Sequence, residues 1–360
     1  MRTPLYTKHI KLNARMAPFA GWDMPIQYEG ILAEHLATRT GSTVFDTSHM
    51  GVLSLRGSTA ERDLERLLTM NVSTIADGQA RYGYLLNEQG GCLDDLTCYR
   101  FGPAHFWLIV NAGTREGDLE WIRAHISPTT ELDDLSPRSA KLDVQGPNSR
   151  ADLEAALGEP LPDLRYFRFV SKRLAGIPTV ISRTGYTGEW GYELYVPISA
   201  ALDFWEIILK PGAIKPAGLG ARDTLRLESG YPLYGHELNT ELTPVAASRG
   251  SYMDFAKDFI GREACLRDRD QGCARYLCAL QLASKRAART HDKVMLGDQE
   301  IGEVTSGSLA PSLNTAIAFA YVDSAHTTKG AQLEIDVRGS RLTATVVETP
   351  FYKNGTVRRK

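Results

Sequence analysis

Apolar residues recur at intervals of two in some stretches and of three or four in others, and the switches between these periods divide the chain into strands and helices. Val52-Leu53-Ser54-Leu55-Arg56, His105 to Val110, Ala140 to Asn148 and shorter runs near Phe167–Val170 and Thr179–Ile181 read as strands. Helical spacing appears between Gly30 and Arg39, where Ile31, Leu32, His35 and Leu36 share a face before Gly41 stops the pattern. It returns at Leu64, Leu67 and Leu68 behind a capping box of Ser58 and Glu61, and at Leu119, Trp121 and Ile122. Further helices carry Leu153, Ala156 and Leu157 behind an Asn148 cap, and Leu202, Phe204, Trp205, Ile208 and Leu209 behind Ser199, the latter ended by Pro211-Gly212. A last one spans Leu219 to Glu228 and stops at Gly230. The aromatic-rich stretch Phe19 to Tyr28 holds Gly21 and Pro25, which forbid a long helix, so an irregular arm is expected there.

Beyond about residue 275 the pattern turns to short strands. Gly297-Asp298 and Gly339-Ser340 are hairpin signals, the second between the alternating runs Leu333, Ile335, Val337 and Leu342, Ala344, Val346. Strands and helices mixed in this order predict an α+β fold with antiparallel sheets, followed by a small all-β C-terminal domain.

A chain of 360 residues is too long for one simple core, so two or three domains are expected. With Lys+Arg 41 against Asp+Glu 43 the net charge is −2, which removes the electrostatic case for nucleic acid. The longest apolar runs fall short of a membrane span, and Met1 to Tyr6 carries neither a signal core nor a transit pattern, so a cytoplasmic location is the default. The five cysteines form no C-x-x-C pair and are expected reduced and mostly buried, with no metal centre.

Candidate chemistry centres on Leu85 to Tyr99, where two apolar limbs flank Gly90-Gly91 and the pair Asp94-Asp95. Neighbouring strand residues face opposite ways, so one aspartate is expected toward a cleft and the other toward the turn or solvent; the plainer alternative is a pair of surface turn residues. The cluster Asp46, Ser48, His49 invites a triad, but adjacency in sequence does not make one, and these groups are expected to hydrogen-bond a turn and shape a pocket wall. His35 reads as a partly buried helix histidine. Arg183 to Val196 places Gly185, Gly188 and Gly191 at intervals of three, as if the backbone ran close to something, and sets Glu193 inside an apolar strand where it needs a partner. Arg222 and Arg226 lie one helical turn apart and need anions, for which Glu193 or a ligand is a candidate.

Taken together, Phe19-Ala20-Gly21-Trp22, Phe45 to Met50, Asn87 to Leu96, Gln145-Gly146-Pro147, Gly185 to Glu189, Gly218 to Asp223, Asp258 to Arg262 and Thr305-Ser306-Gly307 form an ordered set over nearly the whole chain. In these runs the sequence resembles the aminomethyltransferases of the glycine cleavage system, the T-proteins. The resemblance implies a three-domain cloverleaf: residues 1–275 as a folate-binding region of two interleaved α+β domains, the second at roughly 52–138, and 276–360 as a C-terminal β-barrel. It implies transfer of a one-carbon unit from an aminomethyl-lipoyl group on a carrier, the H-protein, to tetrahydrofolate, giving 5,10-methylenetetrahydrofolate and ammonia. Carried over position by position, Asp95 is the catalytic carboxylate, Glu193 and Arg222 the pterin-binding pair, and Tyr82, Ile109, Asn111 and Tyr186 pocket lining. An anionic Asp95 would stabilise the positive charge that develops as the carbon–sulfur bond breaks.

Two relatives of the same superfamily are rivals. Folate-dependent demethylases share the folate site and differ at the entrance for the second substrate. Folate-binding iron–sulfur assembly proteins carry a cysteine in a Lys-Gly-Cys-Tyr-x-Gly-Gln-Glu motif, where this chain has Arg183-Thr184-Gly185-Tyr186-Thr187-Gly188-Glu189. Two basic groups, Arg286, Arg289 and Lys293 and the tail Arg358-Arg359-Lys360, are candidates for steering an acidic carrier, against the plainer reading of solvated surface charge.

Overall fold

The computed structural model describes residues 1–358, so Arg359 and Lys360 of the basic tail lie outside the described residues. Within them the strands sort into three large sheets and one small hairpin. The first sheet runs in the order Phe169–Leu174, Ile177–Ser182, Gly191–Pro197, Ser139–Gln145, Ser42–Asp46, Ile214–Pro216. Its strands are antiparallel up to Ser42–Asp46, but Ile214–Pro216 lies parallel to that strand, a departure from the antiparallel sheets expected. The intervening helix Ala201–Leu209 is the crossover that a parallel return requires. Phe204, Trp205 and Ile208 of this helix, with Leu153 and Leu157 of the helix Ser149–Leu157, pack on Leu142, Val144, Leu194 and Val196.

The second sheet, in the order Gln79–Leu86, Cys92–Gly102, His105–Val110, Gly51–Arg56, Glu131–Asp134, is antiparallel throughout. It is built from chain inserted between the first sheet's strands Ser42–Asp46 and Ser139–Gln145. Helices Ala60–Leu67 and Arg115–His125 cover one face, where Leu64, Leu67 and Ile122 meet Leu53, Leu55, Leu96, Phe106 and Leu108. From Arg275 onward a closed barrel pairs Arg275–Leu282, Thr315–Asp323, Gln299–Ala310, Lys293–Leu296, Gln332–Val337 and Ser340–Val347, which leaves no free sheet edge. Beyond the barrel the chain returns to the first sheet, where Glu189 accepts the Thr356 backbone N–H at 3.0 Å.

Several local expectations are corrected. The stretch expected to be an irregular arm is a hairpin, Arg15–Phe19 with Trp22–Gln27, turned by Ala20 and Gly21 at φ of 47° and 80°; a two-stranded ribbon has free edges, so Pro25 costs it no interior ladder bond. Ser58 and Glu61 make no capping box: Thr59 precedes the helix, its hydroxyl meets Thr129 and Thr130, and Glu61 pairs with Arg100. The second barrel hairpin turns on Arg338-Gly339, since Val337 pairs with Ser340. Of the basic group in the barrel, Arg286 and Arg289 are exposed and donate to the carbonyls of Val337 and Gly307, while Lys293 pairs with Glu300 and Glu303. Among the described residues no helix is long and apolar enough to cross a membrane.

Candidate active site

The three sheets enclose a cavity of about 710 Å³, and Tyr82, Asp95, Ile109, Asn111, Tyr186, Glu193 and Arg222 all stand on its wall. Strand register explains the second sheet's share. Thr97 lies opposite both Tyr82 and Ile109, and Asp95 is two residues from Thr97, so all four side chains leave the same face. Asn111 follows the last residue of the strand His105–Val110.

Asp95 accepts the Tyr82 hydroxyl at 2.9 Å and the Asn111 side-chain amide at 2.9 Å. Burial pushes its carboxyl up to about 6, against the opposing pull of those hydrogen bonds, and Glu237 adds to the rise. Asp94, on the other face, is fully buried rather than turned to solvent, and accepts both the Asn111 backbone N–H and its side-chain amide, at 2.9 and 2.8 Å. The strand alternation therefore held, while the destination of the second aspartate did not, because helix Arg115–His125 covers that face. Gly91 fits this hairpin because a Cβ there would overlap the Thr240 carbonyl.

The facing wall comes from the first sheet. Glu193 lies in register with Asp143, and Lys141, two residues along, donates to Glu193 at 2.6 Å and to Asp143 at 2.6 Å. Arg222 donates to the other oxygen of Asp143 at 2.8 Å. The expectation that Arg222 balances Glu193 directly is thus corrected: Lys141 is the cation on Glu193, and Asp143 joins the two cations. Burial alone would raise the Asp143 carboxyl, but Lys141 and Arg222 hold it below its ordinary value. Arg226 turns away from Arg222, pairing with Glu237 at 2.9 Å and Asp223 at 2.8 Å, so the like charges are answered separately.

Aromatic rings line the cavity. Tyr186 stacks on Tyr231 at 5.7 Å between ring centres, the Arg222 guanidinium lies 4.9 Å from the Tyr186 ring, and Tyr82 meets Tyr252 edge to face at 5.2 Å. The glycines at intervals of three do hold the backbone close to something. A Cβ on Gly185 or Gly191 would overlap the Gln145 side chain, and one on Gly188 would overlap Ser229. Asp46 and Ser48 organise their turn as expected, Asp46 accepting the Ser48 N–H at 2.9 Å and facing His9 at 2.9 Å. His49 reaches the cavity. Burial pushes it down to about 4 despite the nearby Asp46, and Arg222 and Lys141 add to the fall, so it is neutral at physiological pH. His35 is completely buried between Thr224 and Ser312, and serves as a strut.

Comparison with known proteins finds relatives over nearly the whole chain. The family described as GCVT N-terminal domain matches residues 5–257, and the glycine cleavage T-protein C-terminal barrel domain matches residues 275–353. An aminomethyltransferase of Synechococcus elongatus is 42% identical, with 99% of this chain and 98% of that protein covered. Another, from Bacillus mycoides, is 39% identical with 98% of each covered. The crystal structure of glycine cleavage system aminomethyltransferase T from Bartonella henselae superposes with a TM-score of 0.94 at 32% identity, covering 99% of both chains. The chain belongs to the glycine cleavage T-protein family.

In this T-protein family member, three site residues escaped the reading of the sequence: Lys141, Asp143 and Tyr99. The first two left a signal, since charges at alternate positions of the apolar strand Ala140 to Val144 are costly unless paired. Tyr99, fully buried, donates toward Glu193 at 3.2 Å; in sequence it reads as an ordinary strand aromatic.

Proposed function

We propose that this enzyme, an aminomethyltransferase of the glycine cleavage type, takes tetrahydrofolate as its acceptor and uses Asp95 as its catalytic carboxylate. The observation that carries this reading is Asp95 itself, a carboxylate raised to about 6 on the wall of an aromatic slot whose opposite side carries a second carboxylate, Glu193. A pterin ring presents neighbouring N–H donors and flat faces. Glu193 would accept those donors, Tyr186 and Arg222 would line the ring's faces, and Tyr82, Ile109 and Asn111 would close the far end. Bound folate supplies the nitrogen atoms that take up the one-carbon unit. Asp95, held by Tyr82 and Asn111, orients that unit and stabilises the positive charge developing as the carbon–sulfur bond to the donor breaks.

The donor is proposed to be the aminomethyl-lipoyl arm of the H-protein carrier, with 5,10-methylenetetrahydrofolate, ammonia and the dihydrolipoyl arm as products. The match of both family domains and of aminomethyltransferases over nearly the full chain supports this over demethylation. We assign residues 1–275 to the folate-binding region, with its second domain at roughly 52–138, and 276–360 to the barrel. Five free cysteines support work in a reducing compartment, the cytoplasm.

Ammonia release from an aminomethyl-lipoyl carrier, with and without tetrahydrofolate, tests the reaction. Release that ignores folate refutes it. Titration calorimetry with tetrahydrofolate on Glu193→Ala tests the site, and unchanged affinity would move the pterin elsewhere.

A further inference from the structure

Behind Asp95, on the side of the strand away from the cavity, lies a second carboxylate pair. Asp94 is 0% exposed and Asp118, on helix Arg115–His125, is 2% exposed, with their carboxyls within hydrogen-bond reach of each other. Oδ2 of Asp118 is buried with no donor aimed at it from the described residues. The groups facing the pair are Asp95 and Cys92 on the same strand, Tyr234 from the segment after Gly230, and Thr114 on the turn before the helix. Burial and the nearby carboxylates push Cys92 and Tyr234 well up, so both are neutral. Burial and Asp118 raise Asp94 in the same way, and Asp118 itself is raised to about 7, mainly by burial. Two buried carboxylates in contact, with no salt bridge to either among the described residues, resist ionising together, so a single proton shared between them is the favoured arrangement.

The hydrogen-bond inventory says where that proton sits. Both oxygens of Asp94 already accept from Asn111, one from its backbone N–H and one from its side-chain amide. Asp94 is therefore the acceptor, and the orphaned oxygen of Asp118 is the natural carrier of the proton. The same Asn111 amide nitrogen also donates to Asp95 Oδ1 at 2.9 Å and to the Asp95 carbonyl at 3.1 Å. Its two N–H bonds are thus divided, one for the hidden pair and one for the cavity carboxylate.

We propose that Asp118 is a positioning residue for Asp95: as a neutral acid it donates its proton to Asp94, which fixes Asn111 so that one amide N–H stays aimed at Asp95. This rests on Asp95 being the catalytic carboxylate. Loss of the shared proton puts a second negative charge behind Asp95 and removes the donor that keeps Asp94 in place. Activity therefore falls on the alkaline side as the pair ionises.

Three variants separate this role from mere packing. Asp118→Asn keeps the shape and supplies an amide N–H in place of the proton, so kcat should stay within about threefold of the parent while the alkaline limb of the pH profile disappears. Asp118→Leu removes the donor and should lower kcat by about 10- to 100-fold, with the KM for tetrahydrofolate nearly unchanged. Asp94→Asn should behave like Asp118→Leu, because its own amide cannot accept both Asn111 bonds. An infrared difference spectrum, parent minus Asp118→Asn at neutral pH, reads the proton without reference to activity and should show the loss of one protonated-carboxyl band. Absence of that band, or an Asp118→Asn enzyme that keeps the parent's alkaline limb or is as impaired as Asp118→Leu, overturns the proposal. Should Asp118→Leu fail to fold, the infrared and pH readings of Asp118→Asn still decide it. A band that is lost while Asp95→Asn remains active would instead refute the catalytic role of Asp95.

Discussion

Removing Lys141 tests whether Glu193 is held by this lysine or by Arg222. Lys141 Nζ lies 2.6 Å from Glu193 and is buried, while Arg222 places its guanidinium 2.8 Å from Asp143. Two unit charges at 2.6 Å attract by roughly 6 kcal/mol at an effective dielectric constant of about 20. Desolvation of both ions takes back a large part, leaving an expected coupling of about 2–4 kcal/mol for the Lys141–Glu193 pair. Arg222 makes no ion pair with Glu193, so the Glu193–Arg222 coupling should stay below about 1 kcal/mol. Two double-mutant cycles measure both: Lys141→Met with Glu193→Gln, and Arg222→Met with Glu193→Gln. Each protein is unfolded in urea and followed by tryptophan fluorescence, which reports on this sheet through the buried Trp205. Asp143 is held below its ordinary value by both cations, so its contribution to stability is full at neutral pH and is lost as pH falls through the carboxylate range; the cycles belong near pH 7. Equal couplings in the two cycles, or a Lys141–Glu193 coupling under about 0.5 kcal/mol, would refute the assignment of partners.

Asp95→Asn should lower the rate of one-carbon transfer by at least about 100-fold. The same variant should be more stable at pH 7: the folded carboxyl titrates near 6 against an ordinary 3.8, so folding loses up to about 3 kcal/mol as pH rises through that window, and the amide escapes this loss. Denaturation midpoints at pH 4 and pH 7 check the sign, and equal shifts at both would contradict it. Tyr82→Phe removes a hydroxyl that favours the Asp95 anion, so the acidic limb of the pH–rate profile should move up by about one unit; a downward shift would show that Tyr82 does not donate to it. Arg39→Met should destabilise the fold by about 3–5 kcal/mol, because it strands the buried carboxylates Glu189 and Glu228. A thermal melt within 2 °C of the parent would contradict that estimate, since a cost of even about 1 kcal/mol shifts the midpoint by about that much.

How much of this was legible in the sequence depended on how local the cause was. Hydrophobic period and turn residues act within a few positions, so the sequence by itself determined the Leu85 to Tyr99 hairpin, the helix over Leu219 to Glu228 and the barrel strands beyond residue 275. Strand alternation likewise determined that Asp94 and Asp95 face opposite ways, and the family resemblance implied the seven residues that the fold gathers around one cavity. Where a charge finds its partner is not local, and only the tertiary structure decided it. Glu193 and Arg222 were expected to meet, yet the register of Ser139–Gln145 against Gly191–Pro197 sets Lys141 and Asp143 between them. Asp94 was expected near a turn or solvent, and it was sealed in by a helix whose packing no nearby residue announces. The N-terminal ribbon escaped notice for a related reason: a two-stranded hairpin tolerates proline and glycine at its edges, so its sequence carries little of the signature of an interior strand. Desolvation makes an unpaired buried charge costly and therefore requires some partner for each of these groups, but the identity of that partner depends on which distant strands the chain brings side by side.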